Sequence, residues 1–287
     1  MNVNFAFLRI ASSVVVLGIA GGLIACTTDP NDPGAMAGSG GMAGTPMGTG
    51  GAAGAVGAGG MAPAGTACAS AVSIAAATPT IADFDTYDGR DLGTWSFPLG
   101  GDSASGVLAG TFRYGDRADG FPETFEMTAG QNSMYALRVA DTLAQNYGGG
   151  MGTWLSTCVN ATKFTGISFW VKGNAPKVSL KMPMQETLPS TPANAGEKIG
   201  TCAGTIADKT CVHPIFTFPV TNTWTKIEAP WTSVTPGNAA GTAVMPDGRN
   251  ITQFEFAIEL MWVADITGAV VPTPAPYDVT VDSMTFY

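Results

Sequence analysis

Three segments of this chain alternate apolar and polar residues with a period of two: Ile167-Ser-Phe-Trp-Val-Lys172, Val178-Ser-Leu-Lys-Met182 and Phe254-Glu-Phe-Ala-Ile-Glu-Leu260. Successive side chains of a strand point to opposite faces, so this alternation describes strands with one buried face. From Cys68 onward no stretch sustains a helical period, and Pro176, Pro183, Pro189, Pro192, Pro214 and Pro219 would break any long helix. Weaker alternation marks Thr124–Thr128, Tyr135–Val139, Ile215–Val220, Trp224–Ala229 and Tyr277–Tyr287, with Gly, Pro, Asn and Asp in the gaps as turns require. Residues 68–287 suffice for one sizeable core. The expected class is all-β, an antiparallel sandwich or barrel of short strands.

The first 67 residues follow different rules. Met1–Arg9 carries one positive side chain, and Ile10–Ala25 is uncharged and ends against Cys26. A basic start, a short apolar run and a small residue before a cut describe a cleavable signal peptide over residues 1–25. Leu23-Ile24-Ala25-Cys26 resembles the bacterial lipobox. That resemblance implies lipidation at Cys26, attachment to the membrane through the lipid alone, and a place in the cell envelope. Thr27 stands where an Asp would mark inner-membrane retention in well-studied envelopes, so the resemblance points to the outer membrane. Residues 26–67 are dominated by Gly, Ala and Thr, which cannot build a core. They read as a low-complexity tether of about 40 residues, spanning roughly 35 Å as a coil.

Charge and cysteines narrow the possibilities. The formal net charge is −9, and loss of the leader removes only Arg9, which makes it −10. Nucleic-acid binding runs on Lys and Arg neutralising phosphates, so that class is excluded as a partner. Beyond Cys26 lie Cys68, Cys158, Cys202 and Cys211. An even number in an exported chain reads as two disulfides, with three pairings open. The short Gly-containing loop between Cys202 and Cys211 favours their pairing, which leaves Cys68 with Cys158.

Four motifs carry a further resemblance. Thr165-Gly-Ile-Ser-Phe-Trp-Val-Lys-Gly173, Ile81-Ala-Asp-Phe-Asp85 followed by Trp95, Thr221-Asn-Thr-Trp-Thr-Lys226 and Val279-Thr-Val-Asp-Ser-Met-Thr-Phe286 occur in this order. Together they resemble jelly-roll carbohydrate-binding modules of the galactose-binding-like superfold. The resemblance implies a jelly-roll β-sandwich over residues 68–287 and a polysaccharide or oligosaccharide as partner. It also implies a structural calcium between the first and last strands, held by Asp85 and Asp282 with Asp83 nearby.

Catalytic patterns are scarce. A glycosidase needs two suitably placed carboxyls. Glu255 and Glu259 share a strand face, but four residues along a strand is about 13 Å, too far for either standard geometry. There is no nucleophile elbow and no phosphate loop. The single histidine, His213, reads as a loop or strand-edge residue and cannot provide a two-imidazole zinc site. Binding chemistry is better represented. The apolar parity of the three clear strands must face a partner sheet, which turns Trp170, Lys172, Lys181, Gln253 and Glu255 outward. An indole among hydrogen-bonding side chains suits a sugar, which has apolar C–H faces and hydroxyls. Tyr147 and Trp154, beside Gly148-Gly149-Gly150, are expected to form a second, loop-borne platform. The sequence thus points to non-catalytic glycan binding. Its rivals are an adhesive envelope protein that binds protein partners and a hydrolase with an unfamiliar site.

Overall fold

The computed structural model describes residues 68, 70–101, 105–115, 121–131, 133–143, 148–191, 198–259, 261–264 and 270–287. The signal peptide, Cys26 and the tether lie outside the described residues. No helix among the described residues is long and apolar enough to cross a membrane.

Eighteen strands are described, with only single 3-10 turns between them. The first seven are β1 (Val72–Ser73), β2 (Thr80–Ala82), β3 (Ser96–Pro98), β4 (Leu108–Tyr114), β5 (Thr124–Ala129), β6 (Tyr135–Leu143) and β7 (Gly149–Asn160). The next five are β8 (Gly166–Asn174), β9 (Val178–Lys181), β10 (Cys211–Val212), β11 (Ile215–Phe218) and β12 (Thr225–Pro230). The last six are β13 (Gly237–Ala239), β14 (Thr242–Val244), β15 (Ile251–Ile258), β16 (Met261–Ala264), β17 (Val270–Thr273) and β18 (Ala275–Phe286).

Two sheets build the sandwich. The first runs β11-β9-β15-β7-β4-β3, with β1 added to β7. The second runs β12-β8-β18-β6-β5, with β2 added to β18. All these pairings are antiparallel except that of β1 with β7. The chain passes repeatedly from one sheet to the other, as in a jelly roll. Two small sheets, β10-β13-β14 and β16-β17, stand apart from these.

The expected parity is what buries the core. Ile167, Phe169 and Val171 of β8 and Val178 and Leu180 of β9 are buried, as are Phe254, Phe256 and Ile258 of β15. Phe169 of the second sheet meets Phe256 and Phe218 of the first edge-on, each at 5.0 Å between ring centroids. Each such ring withdraws enough apolar surface to be worth about 1.5–3 kcal/mol. Trp95 is buried in the core against Phe84, Tyr87 and Phe97.

Both expected disulfides are present, Cys68–Cys158 and Cys202–Cys211. The first ties the start of the described chain to β7 across 90 residues of sequence. The second closes a 9-residue separation inside the long excursion between β9 and β11.

Candidate functional site

Part of the outer face of the first sheet is built from β4 and the glycine-rich β7. In the register of β4 on β7, Gly110 faces Trp154, Phe112 faces Gly152 and Tyr114 faces Gly150. Aromatic residues and glycines therefore sit opposite one another on the same face. A glycine leaves room for the facing ring to lie across the neighbouring strand. A Cβ at Gly110 would overlap the indole of Trp154. One at Gly152 would come within 2.5 Å of Phe112 Cζ, and one at Gly150 within 2.8 Å of Tyr114 Oη. The result is a floor of three rings, with Phe112 only 6% exposed and Trp154 and Tyr114 half-buried. Trp154 Nε1 is buried and has no hydrogen-bond partner among the described residues.

Polar groups adjoin this floor. Gln253 of β15 pairs with Trp154, and Glu255 pairs with both Gly152 and, on its other side, Lys181 of β9. The Tyr114 hydroxyl donates to Glu255 Oε1 at 2.6 Å, and Lys181 Nζ donates to the same oxygen at 3.0 Å. Both bonds use Oε1, which among the described residues leaves Oε2 free to accept. Burial would raise the Glu255 pKa, but Lys181 and Tyr114 outweigh it and hold the carboxyl below the usual glutamate range. Burial together with the Glu255 charge pushes the Tyr114 phenol well above its ordinary value. The face therefore presents an ionised carboxylate matched by one ammonium, and a neutral phenol.

The excursion between β9 and β11 closes one end of this platform. Met184 bridges to Ile251, and Gln185 N–H donates to the Asn250 carbonyl at 3.0 Å. His213, at its far end, shares a hydrogen bond of 2.9 Å with the Thr187 hydroxyl through Nδ1. Burial lowers its pKa to about 4, against the pull of Glu255, so the imidazole is neutral at pH 7.

The structure brings together Trp154, Lys181, Gln253 and Glu255. It places Trp170 and Lys172 elsewhere, on the outer face of the second sheet, because β8 belongs to that sheet. There Trp170 pairs in register with Lys226 and Asp282, and Lys172 Nζ lies 4.6 Å from the ring centroid of Trp224. A single outer face holding all five polar-parity residues is thus corrected to two opposite faces. Alternation gives a strand's inward side but not the sheet it joins. The loop-borne platform is corrected as well. Trp154 stands in mid-strand, and Gly149 and Gly150 begin β7 rather than forming a loop. Tyr147 lies outside the described residues. Phe112 and Tyr114 were not among the expected residues. Their signal is the sequence Gly110-Thr-Phe-Arg-Tyr114 facing Gly150-Met-Gly-Thr-Trp154, in which glycines alternate with aromatic residues.

The three aspartates expected at a calcium site serve as hydrogen-bond acceptors. Asp282, wholly buried, accepts the Gln131 N–H and the Ser133 hydroxyl through Oδ2, each at 2.7 Å, and the Ser283 hydroxyl through Oδ1 at 3.1 Å. Asp85 Oδ1 accepts the N–H groups of Met134 and Tyr135 at 2.6 and 3.2 Å. Asp83 Oδ1 accepts the Asp85 N–H at 3.2 Å. Asp85 and Asp282 thus tie Gln131, Ser133, Met134 and Tyr135 to the loop after β2 and to β18. Calcium takes six to eight oxygen ligands. Among the described residues no three Asp, Glu, His or Cys gather to hold a metal. The carboxylates face donors instead, an arrangement that does not fit a calcium shell.

No family model matches the sequence, and no curated protein does. Among solved structures the chain is similar to the family 11 carbohydrate-binding module of a cellulosomal cellulase of Clostridium thermocellum. The identity is 16% over 63% of this chain and 85% of that one, with a TM-score of 0.37. It is also similar to the same family's module from that organism in complex with a β-1,3-1,4-mixed-linked tetrasaccharide, at 15% identity, 63% and 86% coverage and a TM-score of 0.36. A third similar structure is a surface glycan-binding protein from Prevotella bryantii, at 11% identity, 56% and 50% coverage and a TM-score of 0.35. Likeness at this level bears on neither ligand nor site, which rest on this chain's own residues.

Proposed function

We propose that the domain binds a polysaccharide or oligosaccharide without catalysis, on the outer face of the first sheet. The observation that carries this reading is the ring floor of Trp154, Phe112 and Tyr114 beside the free Oε2 of Glu255. A pyranose offers an apolar C–H face for stacking and hydroxyls that donate to such an oxygen. Lys181 and Gln253 supply donors at the same edge. Catalysis is disfavoured because Glu259, the outward carboxylate four residues further on, is about 13 Å away and paired with Lys177, which leaves Glu255 as the carboxylate beside the ring floor. It is held ionised, whereas glycoside hydrolysis uses two carboxyl groups in different protonation states.

Lipidation at Cys26 and the residue 26–67 tether would hold this platform off a membrane, with the outer membrane as the proposed location. Labelled fatty acid should enter the wild type and not Cys26→Ser. The glycan reading is tested by presenting an array of polysaccharides to residues 27–287, exported so that both disulfides form. Binding lost on Trp154→Ala supports it. Absence of any glycan binding, with capture of an envelope protein, would replace it with the adhesive reading. Polysaccharide cleavage abolished by Glu255→Gln would replace it with a hydrolase.

A further inference from the structure

Beside the platform the first sheet opens. Between the pairs Trp154–Gln253 and Val159–Ile251, β7 uses four residues, Leu155–Cys158, where β15 uses one, Thr252. A bulge of this size leaves ladder carbonyls without their cross-strand donors. The ammonium of Lys198 donates to two of them, the carbonyl of Leu155 and, at 3.0 Å, that of Thr252. Lys198 is 9% exposed, and burial shifts its pKa down, to about 7. Burying an amine is costly, and its bonds to these two carbonyls offset that cost.

The position of Lys198 links two parts of the domain. Gly200 N–H donates to the Pro189 carbonyl, Thr201 N–H to Gln185 and Cys202 N–H to Leu188. The residues that follow Lys198 are therefore laddered onto the excursion that the Cys202–Cys211 disulfide closes. Its amine reaches the carbonyls of Leu155 and Thr252, the immediate neighbours of Trp154 and Gln253. Those two residues form the last regular pair of the platform.

We propose that Lys198 is a positioning residue for the glycan platform: it fills the gap between β7 and β15 and fixes how Trp154 and Gln253 are presented. The effect on affinity rests on the glycan reading above, whereas the effect on local order does not. Two measurements on Lys198→Met test it, both on residues 27–287 beside the wild type. Amide hydrogen exchange should quicken by about tenfold in peptides covering Thr153–Ser156 and Thr252–Phe254, with β8 and β18 unchanged. Glycan affinity should fall by about tenfold at a temperature where the variant remains folded. Lys198→Gln keeps two N–H donors on a shorter side chain; it should lie between the two and serves if the Met variant fails to fold. Unchanged exchange at the bulge overturns the proposal. So does exchange that rises uniformly over both sheets, which would mark a merely structural role. Wild-type affinity in a variant whose exchange has changed also overturns it. A wild type that binds no glycan sinks the functional reading, and the exchange result still decides the role of Lys198.

Discussion

The indole of Trp154 on β7 lies across Gly110 on β4, its register partner, in space that any side chain at residue 110 would fill. The glycine thus sets the orientation of the ring. Gly110→Ala should force the indole to rotate, at about 1–3 kcal/mol of stability for overpacking. Glycan affinity should fall nearly as far as in Trp154→Ala, because an aromatic anchor dominates a small site. Calorimetric titration alongside thermal melting separates the two effects. Trp170→Ala is the control on the opposite face, and it should leave affinity unchanged. Loss of binding in Trp170→Ala with retention in Trp154→Ala would move the site to the second sheet.

On the proposed reading, Glu255 gives the platform its selectivity. With Oε1 committed to Tyr114 and Lys181, the free Oε2 accepts a hydroxyl and repels an anion. Glu255→Gln should weaken binding of a neutral polysaccharide by about tenfold, the worth of one hydrogen bond to a charged group. It also leaves Lys181 without its counter-ion. The preference for neutral over uronic-acid polysaccharide should therefore narrow in the variant. Titration of both polymers into both proteins measures that ratio, and a ratio equal to the wild type's would remove Glu255 from the site.

The sandwich was legible in the sequence because eight of its strands alternate cleanly or nearly so. Ile167, Phe169 and Val171, for example, bury on one side while Trp170 and Lys172 do not. The two strands that hold the ring floor, β4 and β7, were not legible for a related reason. In β4 and β7, Gly110, Gly150 and Gly152 stand where a period-two pattern needs side chains, and the Gly148–Gly150 run reads as a loop. Those glycines are what make the ring floor possible, so the feature that hid the strands also builds the site. Sheet membership was hidden for another reason. The neighbours of a strand are set by contacts far along the chain, as in the pairing of β8 with β18. The bulge that admits Lys198 lies at Ile251–Gln253, before the clean alternation of β15 begins at Phe254, so that alternation does not report it.

Asp282 should prove a structural residue. Its carboxylate is wholly buried and accepts three hydrogen bonds, two of them from Gln131 and Ser133. Asp282→Asn places an amide among groups that all donate, and should cost about 1–3 kcal/mol, read as an earlier melt. Calcium enters the same experiment. The donor arrangement predicts that chelator and added calcium leave the wild-type melting temperature unchanged. A calcium-dependent rise that disappears in Asp282→Asn would assign an ion to this carboxylate.

Stability should climb with pH in two separate windows, each traceable to one buried base. His213 has a folded pKa of about 4, against about 6.5 for an unfolded histidine. Between those values the unfolded chain binds more protons, so stability rises as pH rises and is lost as pH falls from 6.5 toward 4. Lys198 has a folded pKa of about 7, against about 10.4 unfolded. The same sign applies there, and its burial penalty, complete below pH 7, fades as pH climbs toward 10. Melting midpoints of the wild type from pH 4 to 10 should therefore contain both rises. Lys198→Met should flatten the alkaline one alone, and His213→Gln the acidic one alone, apart from the share that Glu255 contributes as it protonates at the lowest pH. If the alkaline slope persists unchanged in Lys198→Met, the amine is not the buried base, and the gap between β7 and β15 is held by something else.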